Sequence, residues 1–280
     1  IIIPSSVKSI GNYIFYHCTS LNVIRLPSSI VSIGNNAFDG CQSLAHLIIP
    51  PQVTMIDNYT FSGCNSLISV TIPSSVTSIG DYAFNGCSSL IEISLPSSVY
   101  SIGEDAFKGC SSLTKISIPS SITSIKKSTF RICLSLAEIK LPSLLKSIEI
   151  GAFFKCTSLA QITLPPSLTS IEDYAFNKCE LLERIIIPSS VTLIGNYSFS
   201  ECSSLAEITI LSTAVSIGEY AFSDCSSLKE VTIPSSVTTI DEYAFYNCQS
   251  LEKIEILSSL TSIKRYSFNC CSSLIKVTLP

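Results

Sequence analysis

Hydrophobic residues return along this chain at fixed places in a strict 23-residue cycle. Phe15, Cys18 and Leu21 are followed by Phe38, Cys41 and Leu44, and the same triplet recurs without a slip to Phe268, Cys271 and Leu274. Written from the cysteine, the unit reads C-x-S-L-x-x-I/V-x-I/L-P-S-S-V/I-T-S-I-G-x-Y-A-F-x-x, nearly pure over residues 87–109. A fixed period in this range is the mark of a repeat architecture, in which each unit buries its apolar face only against its neighbours.

Within one unit the pattern changes period three times. Ile93 and Leu95 alternate with Glu92 and Ser94, which predicts a strand with one buried face. Pro96 has no amide hydrogen and ends the pairing. Val99 and Ile102 point inward again, predicting a second short extended piece, and Gly103 supplies a turn. Phe107 and Cys110 are three apart, the spacing of one helical or 3₁₀ turn. Each coil therefore reads as strand, turn, short strand and helical turn. The expected fold class is α/β: a solenoid of twelve 23-residue coils, with a parallel strand sheet on one face and helical or 3₁₀ turns elsewhere, forming a single domain over 1–280.

Twelve units leave four residues over. Ile1 to Pro4 read as the end of a strand segment, and the chain stops at the same phase with Val277 to Pro280. Neither end carries a polar cap, so the segment is expected to be cut from a longer array. Uncapped sheet ends also predict end-to-end self-association of the fragment.

Composition narrows the class. Hydrophobic residues make up 46% of the chain and charged residues 14%, enough to fill a continuous core and too apolar for disorder. A net charge of −4, with both signs scattered, offers no basic stripe for nucleic acid. Apolar runs stop at three or four residues, as at Ile185 to Ile187, far short of the roughly 20 that cross a bilayer. No signal peptide is visible, and no membrane insertion is expected of this segment.

The frame C-x-x-L-x-x-I-x-L-P-x-x-L/V-x-x-I-x-x-x-A-F resembles that of the BspA-like (Treponema-type) leucine-rich repeats, and the resemblance covers the whole chain. It implies a right-handed solenoid. The commoner leucine-rich repeat carries an asparagine ladder after its strand; here Pro-Ser-Ser occupies that place. The resemblance also implies a surface protein, displayed at the cell surface or extracellular, that adheres to host proteins or other cells.

Thirteen cysteines invite disulfides or a metal, but no Cys-x-x-Cys pair with zinc spacing is present and no two repeat cysteines share a coil. Stacked equivalents point their β-carbons in parallel, poor geometry for a bridge. The expectation is a column of buried free thiols acting as small hydrophobes, with the additional Cys270 exposed. His17 and His46 fall in different coils at different phases, which places no base and orienting group beside a nucleophile. The chain is expected to be no enzyme and to use no cofactor. The triplets at Asn58-Tyr59-Thr60 and Asn196-Tyr197-Ser198 match the N-glycosylation pattern, at a frequency that a chain rich in Ser and Thr produces by chance. The partial tyrosine column from Tyr59 to Tyr266 is expected to pack between coils.

Candidate chemistry is thus confined to the strand residues that face outward. One row runs Glu92, Lys115, Glu138, Gln161, Arg184, Glu207, Glu230, Lys253, Lys276. Opposite charges abreast, such as Glu92 and Lys115, support the sheet itself. Glu207 beside Glu230 and Lys253 beside Lys276 are unfavourable as neighbours, so these four and Arg184 are the candidate partner-binding residues. The function expected is a non-catalytic module that binds a protein ligand, such as a host or matrix protein, through the strand-lined face. The alternative is the recognition or scaffold segment of a larger enzyme or receptor whose chemistry lies elsewhere.

Overall fold

A computed structural model describes residues 1–257 and 260–279; Pro280, expected to close the last strand segment, lies outside them. Every strand pairing is parallel, and partners lie one repeat apart, as in Ser9 with Ser32 and Arg184 with Glu207. The repeat read from the sequence is therefore also the hydrogen-bonding register. The chain divides into two compact units, each a parallel β-solenoid: residues 1–122 with 128–142, and residues 123–127 with 143–280.

In the second unit the outward-facing strands Arg184–Ile187, Glu207–Ile210, Glu230–Ile233, Lys253–Ile256 and Lys276–Thr278 form one five-stranded sheet in chain order. The short second strands, from Ser124–Ile125 to Ser262–Ile263, form a seven-stranded sheet. The first unit carries the same two kinds of strand in smaller sheets, among them Lys115–Ser117 with Glu138–Lys140 and Met55–Ile56 with Ser78–Ile79 and Ser101–Ile102. Ile2 bridges to Arg25 in parallel, so the first residues do complete a strand position as expected. Glu92 likewise forms only a bridge, to Lys115.

One side chain of each kind per coil fills the core. Phe84, Cys87, Leu90, Val99 and Ile102 are buried, as are their counterparts in neighbouring coils. The phenylalanines stack in a column within each unit, with ring centroids 5.2–5.6 Å apart. Each large side chain so buried stabilises the fold by roughly 1.5–3 kcal/mol, and only because the next coil covers it.

The helical turn expected at Asp105–Cys110 is not present: among the described residues the chain has no helix, so the fold is all-β. The reason lies in the backbone. Two columns of residues are left-handed, one running Tyr13, Asn36, Tyr59, Tyr82, Asp105 and onward, the other His17, Gly40, Gly63, Gly86, Gly109 and onward. A left-handed residue breaks a right-handed helix after less than a turn. Amides in this segment consequently alternate between two uses. Those of Tyr82, Phe84 and Gly86 donate to Glu104, Ala106 and Lys108 of the next coil, while those of Asn85 and Cys87 donate three residues back, to Tyr82 and Phe84. Apolar spacing of three is shared by a 3₁₀ turn and by these successive tight turns. Gly103 also differs from expectation. It makes no left-handed turn; its lack of a side chain admits the coil before it, since a Cβ there would meet the Asp81 amide nitrogen.

Side chains complete the accounting for backbone groups. The buried cysteines donate their thiols to the phenylalanine carbonyl of the preceding coil, as Cys110 does to Phe84 O at 3.2 Å, a carbonyl that also accepts the Cys87 amide at 3.1 Å. The second serine of Pro-Ser-Ser caps the coil before it, Ser98 Oγ donating to Val76 O and Ser121 Oγ to Val99 O, both at 2.6 Å. After Gly comes a short amide and carboxylate ladder: the amides of Asn58, Asp81 and Glu104 donate to Oδ1 of Asn35, Asn58 and Asp81, respectively. Asn58 is a rung of this ladder and Asn196 a rung of a like one in the second unit, where it accepts the Glu219 amide; Thr60 and Ser198, two residues on, are buried.

The ten cysteines from Cys41 to Cys248 are buried and free; Cys270 is exposed, as expected, and so is Cys18. Burial pushes the Cys41 thiol up to about 11 and Cys202 up to about 12, so these groups stay protonated at neutral pH and keep the hydrogen they donate. We predict that Cys110→Ala costs about 2 kcal/mol in a urea titration, from the lost sulfur volume and a carbonyl left with one donor, and that Cys110→Ser recovers part of it. Equal stability of Ala and Ser variants would show that the thiol's hydrogen bond contributes nothing. A second prediction concerns Ile132, a β-branched residue held at φ 61° in the column that carries glycine in the four preceding coils. Ile132→Gly should raise stability by about 0.5–1 kcal/mol; a loss of that size would place the site outside the strained class.

Candidate binding face

Along each main strand, successive residues alternate between core and solvent. In Arg184–Ile187, Ile185 and Ile187 are buried while Arg184 and Ile186 are exposed, and Glu207–Ile210 and Glu230–Ile233 repeat the pattern. Because strand partners are one repeat apart, identical repeat positions line up across the sheet. The five candidate residues fall on one row: Arg184 abreast of Glu207, Glu207 of Glu230, Glu230 of Lys253, and Lys253 of Lys276. Their sequence order of one positive, two negative and two positive charges is thus a spatial order across five strands.

Pairing within the row is incomplete. Lys253 Nζ lies 3.4 Å from Glu230 Oε2, a half-exposed contact of the kind that contributes roughly 0.2–1 kcal/mol. Among the described residues Arg184, Glu207 and Lys276 form no ion pair, although Arg184 and Glu207 sit abreast. Beside Arg184, a depression of about 310 Å³ is lined by Gln161, Ile162, Thr163, Leu164, Ile185 and Ile186. Ile186 is 46% exposed there, an apolar side chain next to an unpaired guanidinium.

The first unit presents the equivalent row with different chemistry. Lys115 lies between Glu92 and Glu138 and bridges to Glu92 at 3.8 Å, both side chains being about two-thirds exposed. Ser94, Ser117 and Lys140 form the neighbouring row, and together these residues line a shallow depression of about 510 Å³. Lys140 and the serines were not singled out in the sequence, where a serine on an outward strand position carries no distinguishing signal. Opposite charges alternate in this unit, as the sequence predicts for a self-supporting sheet; in the second unit like charges adjoin.

Two features that suggest other chemistry resolve into structure. His46 Nδ1 lies 2.9 Å from Ser69 Oγ, a contact between residues paired across exposed strands. Among the described residues no carboxylate holds the other imidazole nitrogen, so the pair lacks the orienting group that makes a histidine a base for serine. Glu149, one repeat on from Lys126, accepts the Ser124 hydroxyl and the Lys127 amide, so it serves the contact between coils in that basic stretch. Among the described residues no group of three or more His, Cys, Asp or Glu side chains is arranged to hold a metal ion, and no helix is long and apolar enough to cross a membrane.

Comparison with known proteins places this architecture. A family model described as the BspA type leucine rich repeat region matches in six copies, over residues 1–114, 77–206 and 192–280. A leucine-rich repeat protein of Bacteroides ovatus ATCC 8483 is 29% identical, over 99% of this chain and 86% of that one, with a TM-score of 0.66. The T. pallidum leucine rich repeat protein is 34% identical over 57% of this chain and 77% of its own, with a TM-score of 0.55. A leucine rich cell surface protein of Faecalibacterium prausnitzii A2-165 is 26% identical over 99% and 86%, with a TM-score of 0.51. Among curated proteins none matches significantly. With its repeat, its register and the family match all running through the chain, the protein belongs to the BspA-type leucine-rich repeat family.

Proposed function

We propose that this chain is a non-catalytic protein-binding module of a surface-displayed recognition protein, and that it engages a host or matrix protein through the strand-lined face of its second unit. The observation that carries this reading is the row from Arg184 to Lys276. Core positions are repeated almost unchanged in every coil, whereas this row changes residue from strand to strand and leaves Arg184, Glu207 and Lys276 without ion pairs among the described residues. A row that served only the sheet would alternate its charges, as Glu92, Lys115 and Glu138 do. Display at the cell surface draws support from the F. prausnitzii relative, itself described as a cell surface protein.

Electrostatic rows of this kind steer and orient a partner more than they hold it. Replacing Glu207 and Glu230 together by lysine should weaken capture of matrix proteins roughly tenfold, with the largest loss at low salt. Unfolding free energy should fall by only about 1 kcal/mol, because the exposed row loses the Lys253–Glu230 contact and gains like charges abreast. Full binding by the double variant, with its fold intact, would remove the patch from the binding face.

A further inference from the structure

The second unit carries an uninterrupted ladder of five tyrosines, Tyr174, Tyr197, Tyr220, Tyr243 and Tyr266. Successive ring centroids are 4.8, 4.6, 4.4 and 4.9 Å apart, and the first three pairs are within 8° of parallel. Every one of these residues is left-handed, with φ between 54° and 59°. A bulky side chain is unfavourable in that conformation, which Gly, Asn and Asp tolerate. The first unit shows that the backbone does not require tyrosine: the same column there holds Asn36, Asp105 and Ser128. The strain of five tyrosines in succession is therefore offset by what the rings do together. Stacking between coils is part of that, as the column in the sequence suggests, but stacking alone would be served by phenylalanine.

The hydroxyls differentiate the ladder from the buried phenylalanine column. Tyr174 and Tyr266 are 39% and 48% exposed, while the three rings between them are half-buried. Tyr243 and Glu219 both adjoin the Tyr220 phenol, and Glu219 also lies near Tyr197. Burial and these neighbours push the Tyr197 and Tyr220 phenols up, so each holds its proton at neutral pH. Removal of an electron from such a phenol releases that proton to the adjoining hydroxyl or carboxylate. Stacked rings at this spacing then pass the oxidising equivalent along the column, from the exposed ends to the interior.

We infer that the ladder Tyr174 to Tyr266 is a site of oxidative cross-linking, in which a peroxidase using hydrogen peroxide couples adjacent tyrosines into dityrosine and so joins neighbouring coils covalently. Each of two neighbouring phenols loses one electron and one proton to give a phenoxyl radical. The ring carbons beside the two hydroxyl-bearing carbons then form one carbon–carbon bond, and loss of the two hydrogens they carry, one moving to each phenol oxygen, restores both aromatic rings. The two electrons and two protons removed reduce one hydrogen peroxide to two waters. The covalent bond joins residues a full repeat apart in sequence, a separation that local chemistry within one turn does not produce.

The test uses the dilute, purified chain treated with horseradish peroxidase and hydrogen peroxide, followed by proteolysis and mass spectrometry. Cross-linked peptides lighter by two hydrogens should join Tyr197 to Tyr220 and Tyr220 to Tyr243 within one molecule. Tyr220→Phe with Tyr243→Phe keeps the stack and the fold, as circular dichroism would show, and should reduce intramolecular dityrosine fluorescence several-fold. Cross-links confined to tyrosines outside the ladder, such as Tyr13, Tyr16 or Tyr100, would overturn the inference, and so would undiminished intramolecular yield in the double variant.

Discussion

A single coil with so little regular structure cannot satisfy its own backbone, and the rest of this fold follows from that constraint. Buried amides and carbonyls must find partners or cost roughly 1–3 kcal/mol each. Here the partners are found one coil away. Strand amides pair in parallel register, turn amides such as Phe84 donate forward to Ala106, and cysteine, serine and asparagine side chains reach the backbone of a neighbouring coil. Any change in repeat length would break all of these at once. That explains a period that holds from the first coil to the last.

The same constraint separates structural positions from free ones. Cysteine is held because its thiol is compact enough for the core and still donates to the Phe carbonyl. The second serine of Pro-Ser-Ser is held by its bond to the coil before it. Among the freer positions is the outward half of each main strand, which only has to tolerate a pleated surface. Residues can therefore differ there from coil to coil, and a partner surface can be altered strand by strand without disturbing the scaffold. The charge row of the second unit and the polar depression of the first are two outcomes of that freedom.

The repeat, the buried columns and the outward rows were legible in the sequence because each rests on side-chain type and spacing alone. Glu207 and Glu230 could be placed abreast from their separation, and the register puts them there. Features that depend on backbone direction were not legible. The spacing of Phe107 and Cys110 is the same in a helical turn and in successive tight turns, and only the left-handed residues at Asp105 and Gly109 decide between them. The cysteine column reads as apolar because a thiol is weakly polar; its hydrogen bond appears only once the Phe carbonyl of the coil before it is located. Nor does the sequence mark Asn35, Asn58 and Asp81 as a ladder, since two residue types share the role and glutamate or lysine replaces them elsewhere.

Native-state thiol labelling followed by site-resolved mass spectrometry tests the account at its centre. If every coil is closed by its neighbours, Cys18 and Cys270 react at once at neutral pH, while the ten cysteines from Cys41 to Cys248 react only as coils open, at rates that rise with denaturant. Prompt labelling of the interior column in the absence of denaturant would contradict it, because thiols bonded to the preceding coil and sealed from water have neither the access nor the charge to react.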